Sequence, residues 1–281
     1  MEVVTTQKTL ASVLAPALQN GQSIGLVPTM GALHKGHLSL VSMALEENDW
    51  VVVSVFVNPT QFNNAADLAA YPVGLAADAA LLKNLSDSII VFAPTAGEMY
   101  PEGLTSKTFD FKGLDTYWEG ADRPGHFNGV ATVVEKLFTY VAAKKAYFGE
   151  KDFQQLAIIR QLVLDLNWPI EIVGCPIVRE PNGLAMSSRN ERLSGEQREQ
   201  AAIIYSVLKE CQQEFDSKTI AGLKKEASEK LLACPGLDIR YFEFVNAHHL
   251  TALDVKNPQV PTRLLTAVSI GGVRLLDNIA I

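Results

Sequence analysis

Cysteine is scarce in this 281-residue sequence: Cys175, Cys211 and Cys234 stand far apart, with no Cys-x-x-Cys pair. An odd, dispersed set excludes a disulfide framework and offers no zinc spacing, so the expectation is three buried, reduced thiols in a cytoplasmic protein. Long apolar runs are missing too. Nothing approaches the ~18 residues of a membrane helix, and Met1 to Thr6 lacks a basic stretch leading into an apolar core. Positive charge is in deficit, with 24 Lys and Arg against 31 Asp and Glu and a net charge of -7. That balance excludes a chain built to coat nucleic acid. Neither Gly-x-Gly-x-x-Gly nor Gly-x-x-x-x-Gly-Lys-Ser/Thr occurs, which removes the best sequence support for a dinucleotide fold or a P-loop NTPase.

What is there is an alternation of apolar strands and amphipathic helices. Ser23–Val27, Trp50–Val57, Ser88–Phe92, Lys145–Phe148 and Ile170–Val173 read as strands. Helical spacing covers residues 9–20, the stretch from Leu38 to Leu45, Gly74–Leu85, Phe127–Val141 and Phe153–Leu166. Nearly continuous apolar strands suit a parallel sheet buried on both faces. Between them, Glu98–Pro101 reads as a loop and Lys107–Phe111 as an edge strand. Past Cys175 the pattern changes to a long helix over Gly195–Phe215, a second over Ile220–Leu232, and hairpin-like strands at Arg240–Val245, Arg263–Ile270 and Val273–Leu276. The expected division is an α/β parallel-sheet domain over 1–175 and a smaller α+β domain over 176–281.

In open α/β sheets ligands bind beyond the carboxyl ends of the strands. Three loops there carry chemistry. After the first strand comes Val27-Pro28-Thr29-Met30-Gly31-Ala32-Leu33-His34-Lys35-Gly36-His37, where His34 and His37 share one face of a helix's first turn. A helix start supplies N–H groups and partial positive charge, which suits an anion, and Gly31 and Gly36 permit close approach. On the residues alone three readings of the histidines stay open: a helix cap, a metal pair, or donors to phosphate. After the second strand, Asn58-Pro59-Thr60-Gln61 offers Gln61 as an amide for a substrate bearing hydroxyl and carboxylate groups, as does Gln155 further on. Asn58 either caps the next turn or binds substrate. The third loop contains Lys151. Far downstream, Met186-Ser187-Ser188-Arg189 offers two hydroxyls and a planar guanidinium to a polyphosphate.

Five segments together resemble the pantoate-β-alanine ligase (pantothenate synthetase) family: Pro28–His37, Phe56–Phe62, Arg123–Phe127, Phe148–Leu156 and Gly183–Asn190. They occur in order and are densest between residues 23 and 193. The resemblance implies a Rossmann-like nucleotidyltransferase domain followed by a C-terminal lid, in a cytoplasmic homodimer. It implies that pantoate and ATP form pantoyl adenylate and pyrophosphate, and that β-alanine then displaces AMP to give pantothenate, with Mg2+ accompanying the nucleotide. Carried over by position, Met30, Gly31, Ala32, Leu33, His34, Lys35, Gly36 and His37 contact ATP, as do Gly149, Glu150, Lys151, Asp152, Val178, Met186, Ser187, Ser188 and Arg189. His37 is the implied proton donor, Gln61 meets both pantoate and β-alanine, and Gln155 meets pantoate. Asn58 joins the substrate set; for the magnesium ion two readings stay open, Asp78 as a ligand or an ion held mainly by phosphates and water. Val73, where an arginine is common, and Trp118, where a leucine is common, depart from the family pattern. A plain adenylyltransferase and a nucleotide-sensing or RNA-binding module are the competing expectations.

Overall fold

Strands that are apolar at every position need cover on both faces, and the computed structural model, which describes residues 1–281, provides it: Val51, Val52 and Val53 are successive and all fully buried. The chain forms two compact units, one comprising Met1–Glu150 and Gln155–Pro176, the other Lys151–Gln154 and Ile177–Ile281. Lys151–Gln154, which the sequence places in the first domain, thus groups with the second unit.

The first unit is built on a parallel sheet of β1 (Glu2–Val4), β2 (Ile24–Thr29), β3 (Trp50–Val55), β4 (Ile89–Phe92), β5 (Lys145–Gly149) and β6 (Glu171–Cys175). Their spatial order is β1-β4-β3-β2-β5-β6. The chain moves outward from β2 through β3 to β4, then resumes on the opposite side of β2 with β5 and β6. The order therefore reverses between β2 and β5, the place where such sheets open a ligand crevice. The connecting helices are α1 (Gln7–Gln19), α2 (Lys35–Glu47), α3 (Ala65–Ala69), α4 (Leu75–Lys83), α5 (Ala96–Met99), α6 (Glu119–Asp122), α7 (His126–Val141) and α8 (Phe153–Asp165).

The far end of α2 is pinned by polar contacts. Asn48 Nδ2 donates to Ala44 O and to Tyr147 Oη, both at 2.8 Å, and the Tyr147 hydroxyl donates to Glu47 Oε2 at 2.8 Å. Burial, helped by the Glu47 bond, raises the Tyr147 phenol well above its usual range, so it stays a protonated donor. Only glycine fits at position 25 beneath this network: a Cβ there would lie 2.7 Å from Asn48 Nδ2 and 3.2 Å from the Tyr147 ring.

The second unit packs α9 (Gly195–Ala201), α10 (Ile203–Glu214) and α11 (Ile220–Leu232) with an antiparallel sheet, β7 (Leu237–Asn246), β8 (Thr262–Ile270) and β9 (Val273–Ala280), in the order β7-β8-β9. Leu208, Leu231, Phe244, Leu264 and Val268 are fully buried in its core. All three cysteines are buried. Burial pushes the Cys175 and Cys211 thiols up to about 11 and raises Cys234 as well, so none is a nucleophile near neutrality. No helix is long and apolar enough to cross a membrane.

Four local expectations change. Glu2–Val4, unassigned from sequence, adds a parallel strand beside β4. Residues 96–99 form a short helix started by Thr95, whose Oγ1 accepts from Glu98 N at 3.2 Å. The edge strand expected over 107–111 does not form. There the Lys107 and Phe109 N–H groups donate to Thr132 Oγ1 and Asn128 Oδ1 of α7, each at 2.9 Å, so helix side chains replace a strand partner. The long helix over 195–215 is divided at Ala202 into α9 and α10.

Gly25→Ala is expected to lower the stability of the first unit by about 1–3 kcal/mol, as overpacking does elsewhere. Differential scanning calorimetry would show its transition moving down by several degrees; an unmoved transition would mean that the α2 end has room to yield.

Candidate active site

The loop after β2 is bent by two successive left-handed residues, Gly31 at φ 84° and Ala32 at φ 51°. Such a bend exposes consecutive N–H groups, and Asp78 of α4 takes them: Oδ2 accepts from Ala32 N at 3.0 Å and Oδ1 from Leu33 N at 2.7 Å. Asp78 is 2% exposed. A Cβ at Gly31 would stand 3.0 Å from Asp78 Oδ2 and 3.0 Å from Val55 Cγ1, so the loop lies directly on the carboxylate. Thr29 closes the bend from the strand side, its hydroxyl donating to Ser54 O at 2.6 Å and accepting from Gly31 N at 3.1 Å.

α2 starts at once, and its own histidines cap it. His34 Nδ1 accepts from Gly36 N at 3.1 Å, and His37 Nδ1 accepts from His34 N at 3.4 Å. The rings lie 4.1 Å apart between centroids. The cap and phosphate readings are therefore compatible: because Nδ1 accepts in both rings, each neutral imidazole carries its proton on Nε2, as a donor. The helix's first-turn N–H groups, expected from sequence to serve an anion, are partly occupied by His34. Lys35 is exposed, while Met30, Ala32, His34, Gly36 and His37 are half-buried and Gly31 and Leu33 are buried.

Gln61 is fixed from every side. Its Nε2 donates to Met30 Sδ at 2.9 Å, and its Oε1 accepts from Asn58 Nδ2 at 3.1 Å. Asn58, 1% exposed, also donates to Gly129 O at 3.1 Å, while its Oδ1 accepts from the Tyr100 hydroxyl at 2.7 Å and the Thr60 hydroxyl at 3.0 Å. Both amide hydrogens and both lone pairs of Asn58 are thus used within the protein, which makes it a support for Gln61; it stands at the N-cap position of the turn over Pro59–Gln61 without a side-chain cap bond. Burial raises the Tyr100 phenol, keeping it a donor. Behind Gln61 stand two residues that sequence analysis quoted but gave no role. His126 Nδ1 lies 2.7 Å and Arg123 Nη2 3.4 Å from Gln61 O, and Arg123 Nη1 lies 3.0 Å from His126 Nε2. Since arginine can only donate, His126 Nε2 accepts and its Nδ1–H donates to Gln61 O. Gly129 lets α7 approach this closely, for a Cβ there would meet Thr60 O at 2.4 Å. Gln155 lies half-buried in the first turn of α8.

Gly149 ends β5, directly beside β2 in the sheet, and Glu150 follows it. Lys151 and Asp152 belong to the second unit, where Lys151 Nζ pairs with Asp152 Oδ1 at 3.1 Å. In that unit Met186 N donates to Val178 O at 3.0 Å and Arg179 bridges Ala185, so Val178 and Met186 sit opposite one another on a short hairpin. Ser187 Oγ accepts from Arg189 N at 3.3 Å and starts a 3-10 turn over Ser188–Arg192. Asn190 holds the turn from inside, donating to Ala185 O at 3.0 Å and to Glu180 Oε1 at 2.8 Å. Ser188 is buried, whereas Met186, Ser187 and Arg189 are half-buried.

The candidate magnesium ligand, Asp78, is otherwise engaged. Both of its oxygens carry loop N–H bonds, and no group of three or more His, Cys, Asp or Glu side chains is placed to hold a metal ion. These residues do not build a magnesium cage.

The sequence profile of the family described as pantoate-beta-alanine ligase matches residues 2–280. Pantothenate synthetase of Phocaeicola vulgatus is 50% identical over 281 residues, covering 99% of both chains, and that of Christiangramia forsetii is 47% identical over 281 residues, covering 100% of this chain and 99% of its own. Among solved structures, pantothenate synthetase of Thermus thermophilus superposes with a TM-score of 0.92 at 42% identity, covering 99% of each chain. A pantoate-beta-alanine ligase of Francisella tularensis, complexed with beta-gamma ATP and beta-alanine, gives 0.82 at 37% identity, covering 100% of this chain and 97% of that one. With a full-length profile match and relatives near half identity, the chain belongs to the pantoate-β-alanine ligase family.

Proposed function

We propose that this chain condenses pantoate with β-alanine to pantothenate, using ATP through a pantoyl-adenylate intermediate. The observation that carries the reading is the paired imidazoles, both locked as Nε2–H tautomers, at the carboxyl end of β2 where the strand order reverses. In the first step a pantoate carboxylate oxygen bonds to the α-phosphorus of ATP and the bond to pyrophosphate breaks. Two anions meet, and negative charge moves onto the leaving group. Fixed donors aimed at such charge lower the barrier because they need no reorganisation during reaction. His34 and His37 supply donors, His37 giving a proton or hydrogen bond to the developing oxyanion. Lys151, Ser187, Ser188 and Arg189 supply positive charge and hydroxyls. Met30, Gly31, Ala32, Leu33, Lys35, Gly36, Gly149, Glu150, Asp152, Val178 and Met186 line the nucleotide.

In the second step the neutral amine of β-alanine bonds to the acyl carbon, the bond to AMP breaks and the amine loses a proton. Gln61 touches both acids, and Gln155 touches pantoate. Asn58, Arg123 and His126 hold Gln61 so that its amide meets substrate without reorganising. Mg2+ enters on the phosphates of ATP, and no protein ligand is assigned to it. The protein works in the cytoplasm as a homodimer.

Pantoate-dependent exchange of labelled pyrophosphate into ATP tests the first step, and β-alanine-dependent release of AMP with pantothenate tests the second. Absence of exchange would sink the adenylate route, while exchange without pantothenate would leave an adenylyltransferase. His37→Ala is expected to slow exchange by roughly 10² to 10³, as does loss of one pre-organised donor; a folded variant with wild-type turnover would move the proton donor elsewhere.

A further inference from the structure

Near its end β9 carries two adjacent buried polar residues, Asp277 and Asn278, whose side chains leave the strand on opposite faces. On one face Asp277 takes Arg179 as a bidentate pair at 2.6 and 2.8 Å. Arg179 also donates to Gly183 O at 3.0 Å and lies over the Tyr205 ring at 3.6 Å, so this contact fixes the hairpin joining Val178 to Met186. On the other face Asn278, 2% exposed, donates from Nδ2 to the main-chain oxygen of Lys151 at 2.9 Å. Its Oδ1 accepts from Arg263 Nε at 2.7 Å, and the Arg263 guanidinium lies 4.3 Å over the Phe153 ring. The Asn278 N–H joins the two faces by donating to Asp277 Oδ1 at 2.7 Å.

A buried amide in a strand costs free energy unless its hydrogen bonds are made, and the sheet's own ladder needs only the backbone. Here the side chain serves another segment. Lys151–Gln154 is a four-residue insertion into the second unit from a chain that otherwise runs through the first. The segment runs from the end of β5 into the first turn of α8, and within the second unit it is held by Asn278 on its first residue and Arg263 on Phe153.

We propose that Asn278 is a positioning residue for Lys151, holding its backbone so that the ammonium is presented to the nucleotide. This rests on the reading of Lys151 as an ATP contact given above. Asn278→Asp tests it, because it keeps the shape and the Arg263 partner and replaces the donor to Lys151 O with an acceptor, while adding a carboxylate beside Arg263 and Asp277; Asn278→Ala removes the donor without that charge. Pantoate-dependent pyrophosphate exchange would be measured for full-length Asn278→Asp, Asn278→Ala, Lys151→Ala and the double variant Lys151→Ala/Asn278→Asp, with folding followed by circular dichroism. Asn278→Asp is expected to slow exchange at least about tenfold. The double variant is expected to be no slower than Lys151→Ala alone, since a residue acting through Lys151 has nothing left to act on. Effects that multiply would assign Asn278 a merely structural role, and wild-type exchange in a folded Asn278→Asp variant would also overturn the proposal. Should Asn278→Asp not fold, Asn278→Ala is read by the same rule. Wild-type exchange in Lys151→Ala would remove Lys151 itself from the ATP contacts. Any slowing by Asn278→Asp would then arise elsewhere, overturning the proposal for that separate reason.

Discussion

A buried carboxylate beneath a loop of two left-handed residues sets the geometry of the first unit. Asp78 accepts from the consecutive N–H groups of Ala32 and Leu33 that the left-handed Gly31 and Ala32 turn inward. Everything after the bend inherits its placement. Met30 on one side reaches Gln61, and His34 on the other begins α2.

The polar groups of the site are organised in depth. Gln61 rests on Asn58, which rests on Tyr100, Thr60 and the Gly129 carbonyl, while His126 and Arg123 hold the Gln61 backbone. Each histidine at the start of α2 has one nitrogen tied to the backbone, which settles the chemistry of the other. Such networks are worth having only when every member is satisfied, because a half-made one leaves an unpaired group in a low-dielectric setting. In Asn58 all four hydrogen-bonding positions are filled.

Much of this was legible in the residues. Apolar runs marked β2, β3, β4 and β5 because strands covered on both faces admit little else, β6 at the sheet edge showed only a short Ile-Val run after Glu171, and the punctuated loops after β2 and β3 marked where chemistry could sit. Local hydrogen bonding was harder to see. The pairing of His34 and His37 was visible at helical spacing, but the tautomers that make them donors follow only from backbone geometry. Asp78 lies about 45 residues from the loop it supports, inside an alanine-rich helix, and no periodicity connects the two. β1 has three residues and gains its identity from β4, some 88 positions away by register. The extended segment at 107–109 has a strand's composition, yet α7 supplies its partners. Asn278 reads as one polar residue in a terminal strand, and its link to Lys151 spans 127 positions.

The chain passes between the two units at 150/151, at 154/155 and again at 176/177. The second unit is therefore not a tail that can be cut off or exchanged whole. A fragment starting at Ile177 would omit Lys151 and Phe153, leaving the amide of Asn278 and the guanidinium of Arg263 without the groups they hold. Recombination between relatives at that boundary would pair one parent's Lys151 segment with the other parent's β9, so the two must be inherited together for the lysine to stay in place.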